Sequence, residues 1–308
     1  MYIPSAYYRR KALAALKGRW QPALLVALIV NLPTLLMQGF SAFTGNDVLD
    51  RLQAFVVSAS RDGVISQETL LGEINAILGS TAFWTIRGLE LLAMLVTPCL
   101  ALGMAKWLMD LLRGQEQPVT AVFCRMRLFF RAIGLQLLII LKVILWMLPG
   151  IAAMTAALWP LSGAVTQEAQ LAVLERAQGI SLPLMLLMAV PGVMAALRYA
   201  LAEYIMAEKP ESGILFSIRH SKELMKDQKK NLFLLMLSFL LWYLLELMIA
   251  SFLSGVPALL FQMLAGLAID VYMVSSVSAF YLRLEYAAEH DESPDNRPCF
   301  SGAAYRGK

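Results

Sequence analysis

The chain has 308 residues, of which 59% are hydrophobic and only 16% are charged. Soluble domains average about 45–50% apolar and about 25% charged residues, so this composition, with a mean hydropathy of +0.64, excludes an ordinary soluble domain. The formal net charge of +4 does not indicate a nucleic-acid partner, because the basic residues lie beside apolar stretches and not along one polar face.

Six apolar stretches are each long enough to cross a bilayer, which takes roughly 20 residues of helix. In chain order they lie near residues 21–43, 88–112, 129–158, 180–205, 231–254 and 256–282. They predict an all-α polytopic membrane protein in which residues 1–286 form a single transmembrane domain. The first stretch exceeds the apolar core of a signal peptide and has no convincing cleavage site, so we expect it to remain as an anchor.

Lys and Arg concentrate in the N-terminal segment, in the second and fourth connections and in the C-terminal tail, whereas the other connections hold few. Basic segments stay on the cytoplasmic side of a membrane, so both termini are predicted to be cytoplasmic. The long outer connection, 44–87, is expected to form either short surface helices or a lid over a cavity. Residues 287–308 have the composition of a disordered cytoplasmic tail.

Three of the basic segments share one plan, in which Pro4, Pro118 or Pro210 precedes a basic amphipathic helix that leads into a span. Such helices interact with anionic lipid headgroups. The residues predicted to do so are Arg9, Arg10, Lys17, Arg19, Arg125, Arg127, Arg219, Lys222, Lys226, Lys229 and Lys230. The shared plan suggests a three-fold hairpin repeat, 1–112, 113–208 and 209–286, which fits either simple duplication or the internal repeats of transporters.

Charged residues inside spans are costly and are therefore candidates for function. The sequence offers Glu90, Lys142, Glu246 and Asp270. Lys142 and Glu246 lie at similar depth, so we expect them to pair if their helices touch. Asp270 either hydrogen-bonds to a Ser or Tyr of another helix or forms the centre of a polar cavity or proton relay.

A second candidate group lies near the cytoplasmic boundary of the fourth and sixth spans. Its members are Arg198, Tyr199, Glu203, Tyr204, Tyr281 and Arg283. Aromatic residues anchor helices at membrane interfaces, so anchoring combined with ion pairing accounts for the group without a ligand.

No known catalytic or nucleotide-binding motif occurs in the sequence. The three cysteines, Cys99, Cys124 and Cys299, are far apart and lack the spacing of a zinc site or a disulfide framework. We therefore expect no metal, no cofactor, no nucleic-acid partner and no enzymatic activity.

Several stretches resemble a known family. These are Lys17-Gly18-Arg19-Trp20, Glu203-Tyr204-Ile205, Ser221 to Lys226, and Ala279 to Leu284. Together they resemble the uncharacterised integral-membrane proteins of Gram-positive bacteria grouped as domain of unknown function number nine hundred and seventy-five. Asp227 stands where that family usually has Gly. The resemblance implies a bacterial membrane protein and implies no activity, cofactor or catalytic residue.

The sequence thus predicts a multi-pass protein of the bacterial cytoplasmic membrane. The leading hypothesis is a non-enzymatic membrane binding or scaffold component that contacts lipids, including anionic lipid at the cytoplasmic face, or other envelope proteins. The first alternative is a transporter or permease-like subunit for a small or lipidic solute. An intramembrane enzyme is the third.

Overall fold

The computed structural model describes residues 4–44, 72, 75, 76, 79, 81–159, 185–187, 189–253 and 256–290. It is about 91% helical and has no strand in the described part of the chain. Among these residues, six helical segments are long and apolar enough to cross a membrane. These findings confirm the prediction of an all-α polytopic protein. Most of the outer connection, 44–87, predicted to form either surface helices or a lid, lies outside the described residues.

Nine α-helices are used below as landmarks. In chain order they are α1 (Ser5–Leu16), α2 (Trp20–Thr44), α3 (Thr81–Leu112), α4 (Phe129–Leu158), α5 (189–199), α6 (Ala202–Glu208), α7 (Ile214–Leu224), α8 (Lys229–Ser251) and α9 (Val256–His290). Two 3₁₀ helices, Val119–Leu128 and Pro210–Ser212, precede α4 and α7. The six candidate spans lie in α2, α3, α4 with the 3₁₀ helix before it, α5 with α6, α8 and α9.

The fourth span is broken, whereas the sequence predicts one continuous helix over 180–205. Regular helix stops at residue 199 and resumes at Ala202. The carbonyl of Arg198, near the break, accepts a hydrogen bond from the Ser221 hydroxyl of α7 at 3.1 Å. Breaks within a span are tolerated where other parts of the protein satisfy the freed backbone groups, and Ser221 has that role here.

The last helix is longer than predicted, because α9 continues to His290. Residues 287–290 are therefore helical and do not belong to a disordered tail. Glu289 lies 3.8 Å from Lys209, and the rings of Tyr286 and His290 stack with centres 4.0 Å apart, so these residues have contacts that extend the helix. Residues 291–308 of the predicted tail lie outside the described residues.

Helix α3 lies at the centre of the packing and contacts α2, α4, α6, α9 and the 3₁₀ helix Val119–Leu128. Helix α1 packs on α9, where the rings of Tyr8 and Phe280 meet edge to face with centres 5.1 Å apart. Three residues of α1, spaced four apart, are fully buried: Tyr8, Ala12 and Leu16. The end of the bundle that carries α1 and the last turns of α9 is called the terminal end below.

The second basic segment differs from the surface helix that the sequence predicts, because it is a 3₁₀ helix that follows α3 closely. The Cys99 thiol donates to the Arg125 carbonyl at 3.2 Å, and the indole of Trp107 donates to the Gln117 carbonyl at 3.2 Å. A Cβ atom added to Gly103 would lie only 2.0 Å from the carbonyl oxygen of Val122. The absence of a side chain at Gly103 therefore permits this approach.

Gly103→Ala is expected to lower the free energy of unfolding by about 1–3 kcal/mol, because the added methyl group meets backbone atoms that cannot rotate away. Thermal unfolding in lipid nanodiscs is the measurement. Gly88→Ala in the same helix is the control, since a Cβ there meets nothing within 4 Å and alanine favours the helix. Equal stability of the two variants would contradict this packing.

Candidate functional site

The carboxylate of Glu208, at the end of α6, is surrounded by partners from other helices. It forms an ion pair with Arg113, which follows α3, and accepts a hydrogen bond from the Tyr281 hydroxyl of α9 at 2.6 Å. Arg113 also lies 3.8 Å from Asp110, and the Lys106 ammonium lies 2.6 Å from the same carboxylate. Each charge in this group has a partner. The contacts of Glu208 with Arg113 and Tyr281 join α6 to α3 and α9.

A second carboxylate, Glu285 of α9, binds Lys209 and His220. Lys209 forms an ion pair with it, and Nε2 of His220 lies 2.9 Å from its other oxygen. The hydrogen bond to Glu285 and the charge of that carboxylate raise the pKa of Lys209, so Lys209 stays charged at neutral pH. His220 belongs to α7, so this contact attaches α7 to the last span. Glu208, Glu285 and the side chains bound to them are called the carboxylate network below.

Helix α1 is attached to α9 through Tyr8. Nη1 of Arg283 donates a hydrogen bond to the Tyr8 hydroxyl oxygen at 2.7 Å. Burial raises the pKa of the Tyr8 hydroxyl, which keeps this group neutral. Burial, reinforced by the charge of Arg283, lowers the pKa of Lys11. The basic helix α1 is thus held by a specific contact at the terminal end.

The structure divides the predicted boundary group into separate contacts. The rings of Tyr204 and Tyr281 do meet, with centres 6.0 Å apart. Arg198 instead lies over the ring of Trp146 in α4, 5.3 Å from its centre. The ring of Tyr199 faces Lys142. Of the predicted group, Tyr281 belongs to the carboxylate network.

Arg113 and Glu208 were not among the predicted site residues. The signal that could have identified them is an unpaired cation directly after one span and an unpaired acid at the end of another, both on the same side of the membrane. That signal becomes informative only when the two spans are known to be neighbours.

The expected pairing of Lys142 with Glu246 is wrong. The Lys142 ammonium lies 6.0 Å from the centre of the Tyr199 ring, whereas Glu246 lies beside α9, its Oε1 3.4 Å from the position of a Cβ built on Gly266. The two residues have similar depth in the sequence, but α4 and α8 present them to different neighbours.

Asp270 accepts a hydrogen bond at 2.5 Å from the Tyr243 hydroxyl of α8. This is one of the two arrangements that the sequence left open, a hydrogen bond to Tyr across helices. The neighbouring Ser276 and Ser278 hydroxyls donate to carbonyls of α9 itself. Asp270 is not among the residues that line the cavity described next.

The predicted lipid-surface cations differ in exposure. Arg10, Lys17, Arg127, Arg219, Lys222, Lys226 and Lys230 are exposed, whereas Arg9, Arg19, Arg125 and Lys229 are partly buried. Arg19 forms an ion pair with Glu116. Most of these side chains therefore remain available to solvent or to headgroups.

A cavity of about 430 Å³ lies between the first four spans. Among the described residues, its polar lining consists of Thr34 from α2, Glu90 and Thr97 from α3, Gln136 from α4 and Glu203 from α6. The wall that α3 contributes runs from Glu90 to Ala101, about 16 Å of helix at 1.5 Å per residue. Two predicted candidates from different groups, Glu90 and Glu203, thus line the same cavity.

The two acidic residues of the described lining differ, because one has a partner and the other has none among the described residues. Glu90 forms an ion pair with Arg87 at 2.7 Å. Glu203 makes no hydrogen bond or ion pair with any residue that the structure describes. A carboxylate inside a span that has no partner is costly, so Glu203 is placed to contact a ligand that brings a hydrogen-bond donor. No group of three or more His, Cys, Asp or Glu that could hold a metal ion is found in the described ranges.

A family model described as a protein of unknown function, DUF975, matches residues 3–288. The chain belongs to the DUF975 family. This result confirms the resemblance inferred from the sequence. Comparisons of this DUF975 protein with curated proteins and with solved structures find no match. Membership therefore assigns no activity.

Glu208→Gln is expected to lower the free energy of unfolding by about 1–3 kcal/mol, because Arg113 loses the nearer of its two carboxylate partners in a partly buried place. Thermal unfolding of the purified protein in nanodiscs measures the change. Glu211→Gln, an exposed position three residues later, should leave stability unaltered. A Glu208→Gln protein as stable as the Glu211→Gln protein would show that the carboxylate network does not hold the terminal end together.

Proposed function

We propose that this DUF975 protein is a non-enzymatic membrane component that binds a small solute in the cavity between its first four spans. One observation carries the proposal: the cavity is lined by a carboxylate, Glu203, that has no partner in the described part of the protein. The volume of about 430 Å³ lies within the roughly 300–1,000 Å³ of typical small-molecule sites.

The chemistry of the lining supports binding. Ligand sites are mostly apolar with a few placed polar groups, and here Met94, Pro98 and Ile140 accompany Thr97 and Gln136. None of these side chains is a nucleophile with an adjacent base, which favours binding over catalysis.

A carrier is the second candidate, and the backbone around the cavity favours it. The fourth span breaks at residues 200–201, directly before the helix that bears Glu203. Pro98 lies inside α3 and lines the cavity, and Pro33 lies inside α2 beside Thr34 of the lining. Discontinuous or proline-containing helices around a site are typical of transporters.

The exposed cations of α1, α7 and the start of α8 support a further part of the proposal, a cytoplasmic terminal end in contact with anionic lipid. Each Lys or Arg near an anionic headgroup layer contributes about 1 kcal/mol. Arg10, Lys17, Lys222 and Lys230 are exposed and so remain available for such contacts.

Filling the cavity should remove the solute. Native mass spectrometry of protein extracted in a mild detergent is expected to show a stoichiometric solute on the wild type and none on Ala101→Phe, because the added ring occupies the cavity. Ala196→Phe, which adds the same ring at an exposed position of the fourth span, is the control and should retain the solute. Retention by Ala101→Phe would contradict the proposal, and a co-purifying protein in place of a solute would favour a scaffold role.

The orientation is testable with single cysteines in a Cys-free background. Lys222→Cys, at an exposed position of α7, should react with an impermeant maleimide only after cells are opened. Asn75→Cys, exposed in the connection between the first two spans, should react in intact cells and serves as the control. Labelling of Lys222→Cys in intact cells would reverse the proposed orientation.

A further inference from the structure

The charged groups in the described lining of the cavity are all acidic. Glu203 and Glu90 are acidic, and none of the described residues that line the cavity is Lys, Arg or His. Glu90 is already paired with Arg87, so the uncompensated charge of the described lining belongs to Glu203. A ligand that brings positive charge therefore gains most in this place, since charge-assisted hydrogen bonds are about twice as strong as neutral ones.

The remaining polar groups can accept hydrogen bonds. The Thr97 hydroxyl donates to the Ala93 carbonyl at 2.8 Å, which leaves its oxygen lone pairs as acceptors. The amide oxygen of Gln136 is an acceptor as well. A primary or secondary ammonium group carries N–H donors for these oxygens, whereas a quaternary ammonium carries none.

The rest of the lining fits the apolar part of such a ligand. Met37, Met94, Pro98 and Ile140 contribute thioether and aliphatic surface. No aromatic ring lies among the described residues of the lining, so the aromatic cage that recognises quaternary ammonium groups is missing. The lining therefore favours N–H-bearing cations over quaternary ones.

The position of Glu203 separates it from the carboxylate network. It lies five residues before Glu208 on α6, about 7.5 Å deeper along the helix at 1.5 Å per residue. At that helix end, Arg113 forms an ion pair with Glu208, and Lys209 forms one with Glu285. The cations at the helix end therefore pair with Glu208 and Glu285, whereas Glu203 lines the cavity.

We infer that the cavity binds an amphiphilic primary or secondary ammonium compound, with Glu203 as its anionic contact and Thr97 and Gln136 as hydrogen-bond acceptors. This inference rests on the proposed solute-binding function and adds the chemical class of the solute.

The test compares three probes of one shape on the wild-type protein in lipid nanodiscs at pH 7, by isothermal titration. The probes are 2-phenylethylammonium, its N,N,N-trimethyl analogue and the neutral 2-phenylethanol. We expect 2-phenylethylammonium to bind at least about tenfold more tightly than either of the others, the size of effect that one charge-assisted hydrogen bond gives.

Variants assign the preference to Glu203. Glu203→Gln should bind the three probes with about equal affinity, whereas Glu203→Asp, which keeps the charge, should still prefer the ammonium probe. Glu246→Gln removes an equal charge from a span outside this cavity and is the matched control, which should behave as the wild type. Thermal unfolding of each variant establishes that it is folded, and the comparison of the three probes on the wild type still tests the ammonium class if Glu203→Gln does not fold.

The outcomes separate the inference from the proposed function. If all three probes bind equally to the wild type and Ala101→Phe abolishes their binding, the cavity is a solute site and the ammonium class is wrong. A preference that persists in folded Glu203→Gln also overturns the inference, since another group then supplies the contact. Absence of binding by every probe at about 1 mM, the weak end of specific affinities, would overturn both.

Discussion

A carboxylate that leaves water must gain cations or hydrogen-bond donors, and this constraint determines how the helices meet at the terminal end. Glu208 gains Arg113 and Tyr281, and Glu285 gains Lys209 and His220. These partners come from the turn after α3, from α7, from α9 and from the turn after α6, so compensating two charges fixes the relative positions of four parts of the chain. Buried charges are tolerated where partners surround them, and this network is such a place.

The same constraint explains why Glu203 is a candidate contact for a ligand. It lies on the same short helix as Glu208 and follows a break whose freed carbonyl, that of Arg198, is satisfied by Ser221. The chain therefore satisfies a backbone group on one side of Glu203 and a carboxylate on the other. Glu203 itself faces a cavity without a partner among the described residues. A bound ammonium group would complete the pattern that the rest of the terminal end already follows.

Hydropathy and length were enough to predict the class and the six spans, because the bilayer demands about 20 apolar residues from every crossing helix. Hydropathy and length could not predict which helices are neighbours. Lys142 and Glu246 share a depth, yet α4 and α8 present them to Tyr199 and Gly266. Glu203 was a candidate only as a boundary residue, since its cavity depends on helices distant in sequence. The break before it is invisible to hydropathy because Ala200 and Leu201 are ordinary helix residues.

The central claim is that Glu203 is an anionic contact for a ligand and not a partner of the protein's own cations. A cryo-electron microscopy structure in lipid nanodiscs with 2-phenylethylammonium tests it most directly. The account predicts ligand density in the cavity, with its nitrogen about 2.8 Å from the Glu203 carboxylate. An ion pair between Glu203 and a Lys or Arg of the chain, with the cavity closed by side chains, would contradict it.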